Sequence, residues 1–545
     1  MNSVIEDCEQ PIKEIMGLCG AASVSIGVVH EGNSIYKASF GLRDIENELP
    51  ANSSTLYCIA SLSKSFLSAA VGILVSRGVL DWREPLKMYL PDFDPVGDPN
   101  IARHANLIDV LCHATGLAQH DVLHIGPRGT NIADRRDLVR ILNGLPTANE
   151  HGARFRRYWL YNNDVTALAA EIIEKKSTKH YGEFLRENIF EPLGMRRTFA
   201  SGRQEDENSA HPYARLSDGT MTRLHPTSFL AETATASIHC GLRSSVEDML
   251  IWGQSILARW KWEDAKSEDK SNMDDPPNDL QEISTILSDF YPQPANDRHQ
   301  NLCAYCLGWL KVVLPSSNVG LLSFNKETKL SGADHRLILG EHSPPLQVIM
   351  HNGKVTGYNS IVMMFPETDS VIVVLSSGGT DGDPSDWIGR ILTQALFDLK
   401  PRVDFVVAAK DEAELSRQWF KTRILAPLEK DRTEQTGKVD FPDYIGTYTN
   451  AELATTIYIE YTQDAPAVRF NDQISSSYPL AHHCGDTYSF LPKTRDEWLK
   501  DCMLEYFDHR MGLLRFRRES DGVISGVLWQ WHYREEASWF ARQPS

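Results

Sequence analysis

The feature that most narrows the fold is the apolar stretch beginning at Ser61. Leu62, Phe66, Leu67, Ala70, Val71, Ile73 and Leu74 fall at helical spacing as one broad face, which stops near Gly78. A helix with so broad an apolar face lies buried against other elements, so the surrounding chain has to enclose it. Ser61 and Lys64 stand one turn apart at its start.

The enclosing elements are mixed. Ala21 to Val29 is a β-branched run that turns at His30-Glu31-Gly32-Asn33 and resumes from Ser34 to Gly41, which reads as a hairpin. Short helices are expected over Leu107 to Gly116 and Asp164 to Lys175, and buried strands over Val362 to Phe365 and Val371 to Leu375. Residues 263–279 are dense in charged residues, Asn and Pro and read as a solvated insertion. After a polar segment at 430–438 the texture changes to short strands, at Thr456–Tyr461, Val468–Phe470, Leu513–Phe516 and Val523–Trp531. With 545 residues, 42% of them hydrophobic, the expectation is an α+β catalytic domain over 1–430 and an all-β domain over 438–545.

Charge excludes one class of partner. A net charge of −18 offers no basic face for counterion release, so nucleic acid is not expected. The first ten residues have neither a basic nor an apolar signal region, and no run of eighteen apolar residues occurs, so a cytoplasmic protein with no membrane partner is expected. The nine cysteines are scattered and odd in number, as reduced thiols are. Cys303 and Cys306 have CxxC spacing but no second pair and no zinc set, so neither redox nor metal chemistry is expected of them.

A Ser-x-x-Lys match alone is weak, and three others occur. Ser34–Lys37 falls in an expected strand, Ser267–Lys270 in the polar insertion and Ser323–Lys326 in an extended stretch. Ser61-Leu62-Ser63-Lys64 differs because a helical i, i+3 pair shares one face and the helix start presents N–H groups to a developing anion. A lysine held against an apolar helix can then serve as base toward the serine hydroxyl. Tyr161-Asn162-Asn163, at a loop-to-helix junction after Phe155, Tyr158 and Trp159, can place a phenol and a carboxamide on one side of a turn; it also reads as a simple helix cap.

Together with SIGVVHEGN, the run YCIASLSKSFLSAAVGILVSRGVLDW, LIDVLCHATGL and CGLRSSVEDMLIWGQ, these elements resemble the serine β-lactamase-like and penicillin-binding-protein family over about residues 20 to 400. That family includes class C β-lactamases, D-Ala-D-Ala carboxypeptidases, D-aminopeptidases and esterases. The resemblance implies a β-lactamase/transpeptidase-like fold, an antiparallel sheet flanked by helices with a helical subdomain. The segment starting Asp443-Tyr444-Ile445-Gly446-Thr447-Tyr448 resembles the lipocalin-like barrel appended to some members, where it caps the cleft, shapes substrate choice or merely stabilises.

The family's third motif, usually Lys-Thr-Gly, falls here on His351-Asn352-Gly353, counted back from Gly357-Tyr358. A mostly neutral side chain thus replaces a permanent cation, which argues against a dedicated penicillinase. The resemblance implies Ser61 as nucleophile and Lys64 and Tyr161 as proton carriers. It makes the backbone N–H groups of Ser61 and Lys354 the oxyanion hole, has Asn163 orient Lys64 or a substrate amide, and has His351 polarise the acyl group or bond to Tyr161. No cofactor or metal is expected, because no His/Asp/Glu cluster with ligand spacing is read beside the motifs. The partner is a small-molecule or peptide acyl substrate. Three activities stay open: hydrolysis of an ester, amide or D-configured peptide; acyl transfer or peptide release and cyclisation; and a catalytically silent binding protein on the same fold.

Overall fold

The computed structural model describes residues 2–126, 129–148, 155–200, 206–225, 233–266, 273–276, 279–293, 302–327, 337–432, 441–462, 465–472, 477–504, 508–532 and 535–544. The N-terminal β-branched run pairs antiparallel with the segment that follows it, as the hairpin reading requires. In chain order, the strands of the main sheet are β1 (Ala21–His30), β2 (Asn33–Asp44), β3 (Leu49–Pro50), β4 (Tyr291–Pro292), β5 (Cys303–Tyr305), β6 (Leu310–Leu314), β7 (Leu346–Val355), β8 (Tyr358–Phe365) and β9 (Ser370–Gly378). Their order in space is β3-β2-β1-β9-β8-β7-β6-β5-β4, so the first strands close onto the last ones of the sequence half that follows. β8 and β9 are buried along their whole length, which is why both read as unbroken apolar runs.

Helices cover both faces. The ones used below are α1 (Ser63–Ser76), α2 (Asn163–Ser177), α3 (Ala236–Cys240), α4 (Val246–Asp264) and α5 (Pro384–Leu396). A Cβ on Gly253 of α4 would meet Val371, and one on Gly389 of α5 would meet Met363 and Ile361. In register, Met363 stands opposite Ile372, so Val371 and Met363 point to opposite faces and the two helices sandwich the sheet. α1 is enclosed by α2 and α3, as its broad apolar face demands.

One local expectation needs correction. Ser61 does not open the α-helix but sits in a 3₁₀ turn, Ala60–Leu62, and α1 starts at Ser63. The left-handed backbone of Ala60, at φ 49°, swings the chain into that turn, a conformation a non-glycine residue adopts at some cost. Of the other Ser-x-x-Lys matches, Ser34–Lys37 lies in β2, Ser323–Lys326 has its serine in a loop and only its lysine at the start of a helical turn, and Ser267–Lys270 lies outside the described residues. The charged stretch 263–279 begins within α4, and its residues 267–272 and 277–278 are outside the described set, as are 433–440. None of the nine cysteines is joined in a disulfide. Among the described residues no helix is long and apolar enough to cross a membrane.

A second sheet of nine strands runs from Gly446 to Arg542, all antiparallel. Its two end strands, Tyr478–Pro479 and Ala481–Cys484, are separated in sequence by Leu480 alone, so the sheet curls into a nearly closed barrel. The barrel is tied to the catalytic sheet at Asp381. This buried carboxylate accepts from Arg215 Nε at 3.0 Å and Arg417 Nε at 3.1 Å, and from Arg495, which precedes the barrel's later strands. Replacing Asp381 by Asn would leave three guanidiniums facing one another without their counter-charge. The expected loss is about 3 kcal/mol, read from denaturant unfolding; a change within about 0.5 kcal/mol, the usual range for surface substitutions, would show that Asp381 is not the tie.

Candidate active site

The site is organised around a buried ammonium. Lys64 Nζ lies 3.0 Å from Ser61 Oγ, 2.9 Å from Asn163 Oδ1 and 3.3 Å from the carbonyl of His239. These acceptors come from the Ala60–Leu62 turn, the first residue of α2 and α3. Asn162 caps α2 by accepting from Val165 N at 3.2 Å, which sets Asn163 at the helix start. The Asn163 amide is oriented from behind, because its Nδ2 donates to the Asp121 carboxylate at 3.3 Å and 3.5 Å; its oxygen must therefore face Lys64.

The third motif reaches the turn carrying Ser61 through a glycine. A Cβ on Gly353 would fall 2.4 Å from the carbonyl oxygen of Ile59 and from Ser360 Oγ, and 3.1 Å from Ala60 Cβ. Ser360 on the neighbouring strand β8 donates to that same Ile59 carbonyl at 2.8 Å. Only a residue without a side chain lets β7 come this close to the turn carrying Ser61. Lys354, the next residue, has its ammonium 4.9 Å from the centroid of the Phe324 ring.

Tyr161 meets Lys64 through its ring, whose centroid is 5.1 Å from Nζ. Behind it runs a one-way hydrogen-bond chain. The backbone N–H of Asn162 donates to His113 Nδ1 at 3.2 Å, which leaves the His113 proton on Nε2, 3.2 Å from the Tyr305 hydroxyl. Tyr305 O–H in turn donates to His351 Nε2 at 2.9 Å, and His351 Nδ1–H donates to the carbonyl of Asn352. Burial first and the Lys64 charge second press the pKa of His351 down to about 3. Burial likewise pushes His113 well below its ordinary value and Tyr305 well above.

This corrects the expectation for His351. Both its ring nitrogens are engaged, by Tyr305 and by a backbone carbonyl, so it has no polar atom left for an acyl group or for Tyr161. Asn352, the middle residue of the motif, does have them: its buried amide has neither atom hydrogen-bonded, and it lines the cleft. Ser61, Tyr161, Asn163, His351, Asn352 and Lys354 share one cavity of about 350 Å³. Leu504, from the C-terminal half, also lines it.

Sequence reasoning missed Asp121, Tyr305 and a histidine cluster. His120, His124 and Asp164 lie together, each offering a ligand atom within 4.8 Å of the others, against the expectation that no such set accompanies the motifs. The His-x-x-x-His spacing of His120 and His124 was there to be read.

Residues 9–395 match the family model described as beta-lactamase. The chain belongs to the beta-lactamase family. Within that family it is 21% identical to an unguisins hydrolase of Aspergillus campestris, over 99% of this chain and 92% of that one. It is 24% identical to a beta-lactamase of Escherichia coli, over 69% of this chain and 89% of that protein. Esterase EstB of Burkholderia gladioli is 27% identical over 44% and 66% of the respective chains. The octameric penicillin-binding protein homologue from Pyrococcus abyssi shares the fold with a TM-score of 0.55 at 18% identity, covering 96% of this chain and 97% of that one, so the likeness takes in the barrel as well.

Two outcomes follow from this family site. Gly353→Ala should push β7 off the Ile59 carbonyl and lower turnover by about 100-fold, measured with an activated ester; unchanged turnover would mean the close approach is not needed. His113 and His351 bind protons less readily folded than unfolded, so the stability they confer is complete above the ordinary value of 6.5 and is lost as pH falls toward 3. The melting temperature should therefore drop steadily on acidification below about pH 6.5, and a flat profile down to pH 4.5 would contradict the neutral assignment.

Proposed function

We propose that this protein is a serine hydrolase that forms an acyl-enzyme on Ser61 and cleaves an ester, amide or D-configured peptide bond. The observation that carries the reading is the set of partners around Lys64. Once the Lys64 ammonium has given up a proton, the amine has two hydrogens and one lone pair. Asn163 Oδ1 and the His239 carbonyl can only accept, so they take both hydrogens and leave the lone pair for the Ser61 hydroxyl, 3.0 Å away.

Ser61 Oγ then bonds to the substrate carbonyl carbon while its proton moves to Lys64. The carbonyl oxygen becomes an oxyanion held by the backbone N–H groups of Ser61 and Lys354. As the tetrahedral intermediate collapses, the scissile bond breaks and the leaving group takes a proton relayed through Lys64 and Tyr161. Water repeats the sequence on the acyl-enzyme, losing its proton to the same pair and releasing the acid and free Ser61. The Asn352 amide, unpartnered in the cleft, is assigned to hydrogen-bond the acyl part of the substrate.

The neutral, fully bonded His351 supports a substrate other than a simple penicillin, since it supplies no cation at the third motif. The aromatic walls of the cleft, Trp159, Tyr161 and Phe324, favour a bulky acyl group or peptide, and the similarity to an unguisins hydrolase across 99% of the chain points the same way. No cofactor enters the scheme. Residues 1–430 are assigned to the catalytic domain and 438–545 to the barrel, whose Leu504 helps shape the cleft.

The test is intact-protein mass spectrometry of wild type and Ser61→Ala mixed with an activated acyl ester, with release of the leaving group followed in parallel. A stoichiometric burst and a single adduct mapped to Ser61, absent in the variant, is the expected result. Added alcohols or amines that capture the acyl group would move the reading to acyl transfer. No adduct in either protein, or equal adducts in both, would replace it with a binding role.

A further inference from the structure

Beside Lys64, four titratable groups are buried together. His120, His124, Asp164 and His239 are each at most 2% exposed. His120 Nε2 lies 3.4 Å from Asp164 Oδ2, and His239 Nε2 lies 3.3 Å from Asp164 Oδ1. The His124 ring stands 5.0 Å from that of His120, and neither of its nitrogens has a hydrogen-bond partner.

The tautomers leave a gap in this cluster. His120 Nδ1 is 3.3 Å from the Ala118 carbonyl, to which it can only donate, so Nε2 of the neutral ring carries a lone pair. That lone pair faces a carboxylate oxygen that is itself without a hydrogen bond. Two lone pairs do not attract, and a buried imidazole with two unpartnered nitrogens beside them adds a further unmet demand. A cation bound between the three groups takes up both facing lone pairs and one of the two His124 nitrogens. On Asp164, His239 Nε2–H holds the other oxygen and so turns Oδ2 toward the two rings, the arrangement by which outer partners orient metal ligands.

We propose that His120 Nε2, a ring nitrogen of His124 and Asp164 Oδ2 form a binding site for one divalent transition ion of the zinc type. Two imidazoles and a carboxylate suit that class, and ligand atoms around tetrahedral zinc stand about 3.3–3.5 Å apart. The 3.4 Å separation of His120 Nε2 from Asp164 Oδ2 already meets that spacing. All three ligand atoms fall within 4.8 Å of one another, so a small rotation of His124 completes the set. The fourth position is left to water.

The ion's role is positioning. Asp164 follows Asn163 in α2, and His239 lends its carbonyl to Lys64, so the cluster anchors two of the three acceptors around that amine. Its sequence signature, His-x-x-x-His at 120 and 124 with Asp164 at the start of the next long helix, is local enough to be engineered away without touching the cleft.

The full chain is stripped with a chelator, dialysed and titrated with zinc and separately with cobalt(II), reading bound ion by elemental analysis, melting temperature and the visible cobalt spectrum. The expected result is one ion per chain, a rise in melting temperature on adding zinc, and a visible cobalt band of tetrahedral intensity. His124→Ala should weaken zinc binding by more than about 100-fold, a ligand counting for at least as much as an outer partner, while the exposed-site control His180→Ala keeps it. Wild type that holds no stoichiometric ion and melts at the same temperature with or without zinc would overturn the proposal and leave a polar cluster holding water only. Equal binding by wild type and His124→Ala would overturn it as well. The wild-type arms decide the matter even if His124→Ala does not fold.

Discussion

An ammonium as deeply buried as that of Lys64, 1% exposed, must find an acceptor for each of its hydrogens, because an unpaired buried charge costs several kcal/mol. The three acceptors belong to three different pieces of chain: the turn at Ala60–Leu62, the start of α2 and the carbonyl end of α3. Satisfying one amine therefore fixes three elements against one another. Of these three acceptors only the Ser61 hydroxyl carries a proton of its own.

The third motif shows how a conservative-looking change alters the field of a cleft. A lysine at position 351 would bring a permanent cation to the wall next to Lys64. The histidine instead sits at the end of a chain from His113 through Tyr305, donating its remaining proton to its own strand. With its pKa near 3, it adds no charge beside Lys64 at neutral pH, and so spares that ammonium a repulsive neighbour. The polar group left without a partner in this stretch is the amide of Asn352, one residue along the strand and lining the cleft.

Much of this was legible because it is local. The hairpin β1–β2, helix α1 and strands β8 and β9 announce themselves by period and length, and Ser61, Lys64, Tyr161 and Asn163 by spacing within recognisable stretches. What stayed hidden depends on contacts distant in sequence. The His239 carbonyl has no side-chain signature, yet it holds Lys64 across 175 positions. Tyr305 lies between the two cysteines of the CxxC pair, where only the thiols drew attention, although its hydroxyl is what ties up His351. The strands Tyr291–Pro292 and Cys303–Tyr305 are too short to show alternation.

Three consecutive residues illustrate how tightly the framework and the chemistry are coupled. Asn162 caps α2, Asn163 accepts from Lys64, and Asp164 points behind the helix into the imidazole cluster. On the first turn of a helix successive side chains diverge by about 100°, so one capped start serves three directions at once. The cap sets the position of the helix, the helix sets the amide that orients the base, and the carboxylate fastens the same turn to His239, whose carbonyl returns to the base. A closed loop of this kind transmits any shift of α2 directly to the Ser61–Lys64 pair.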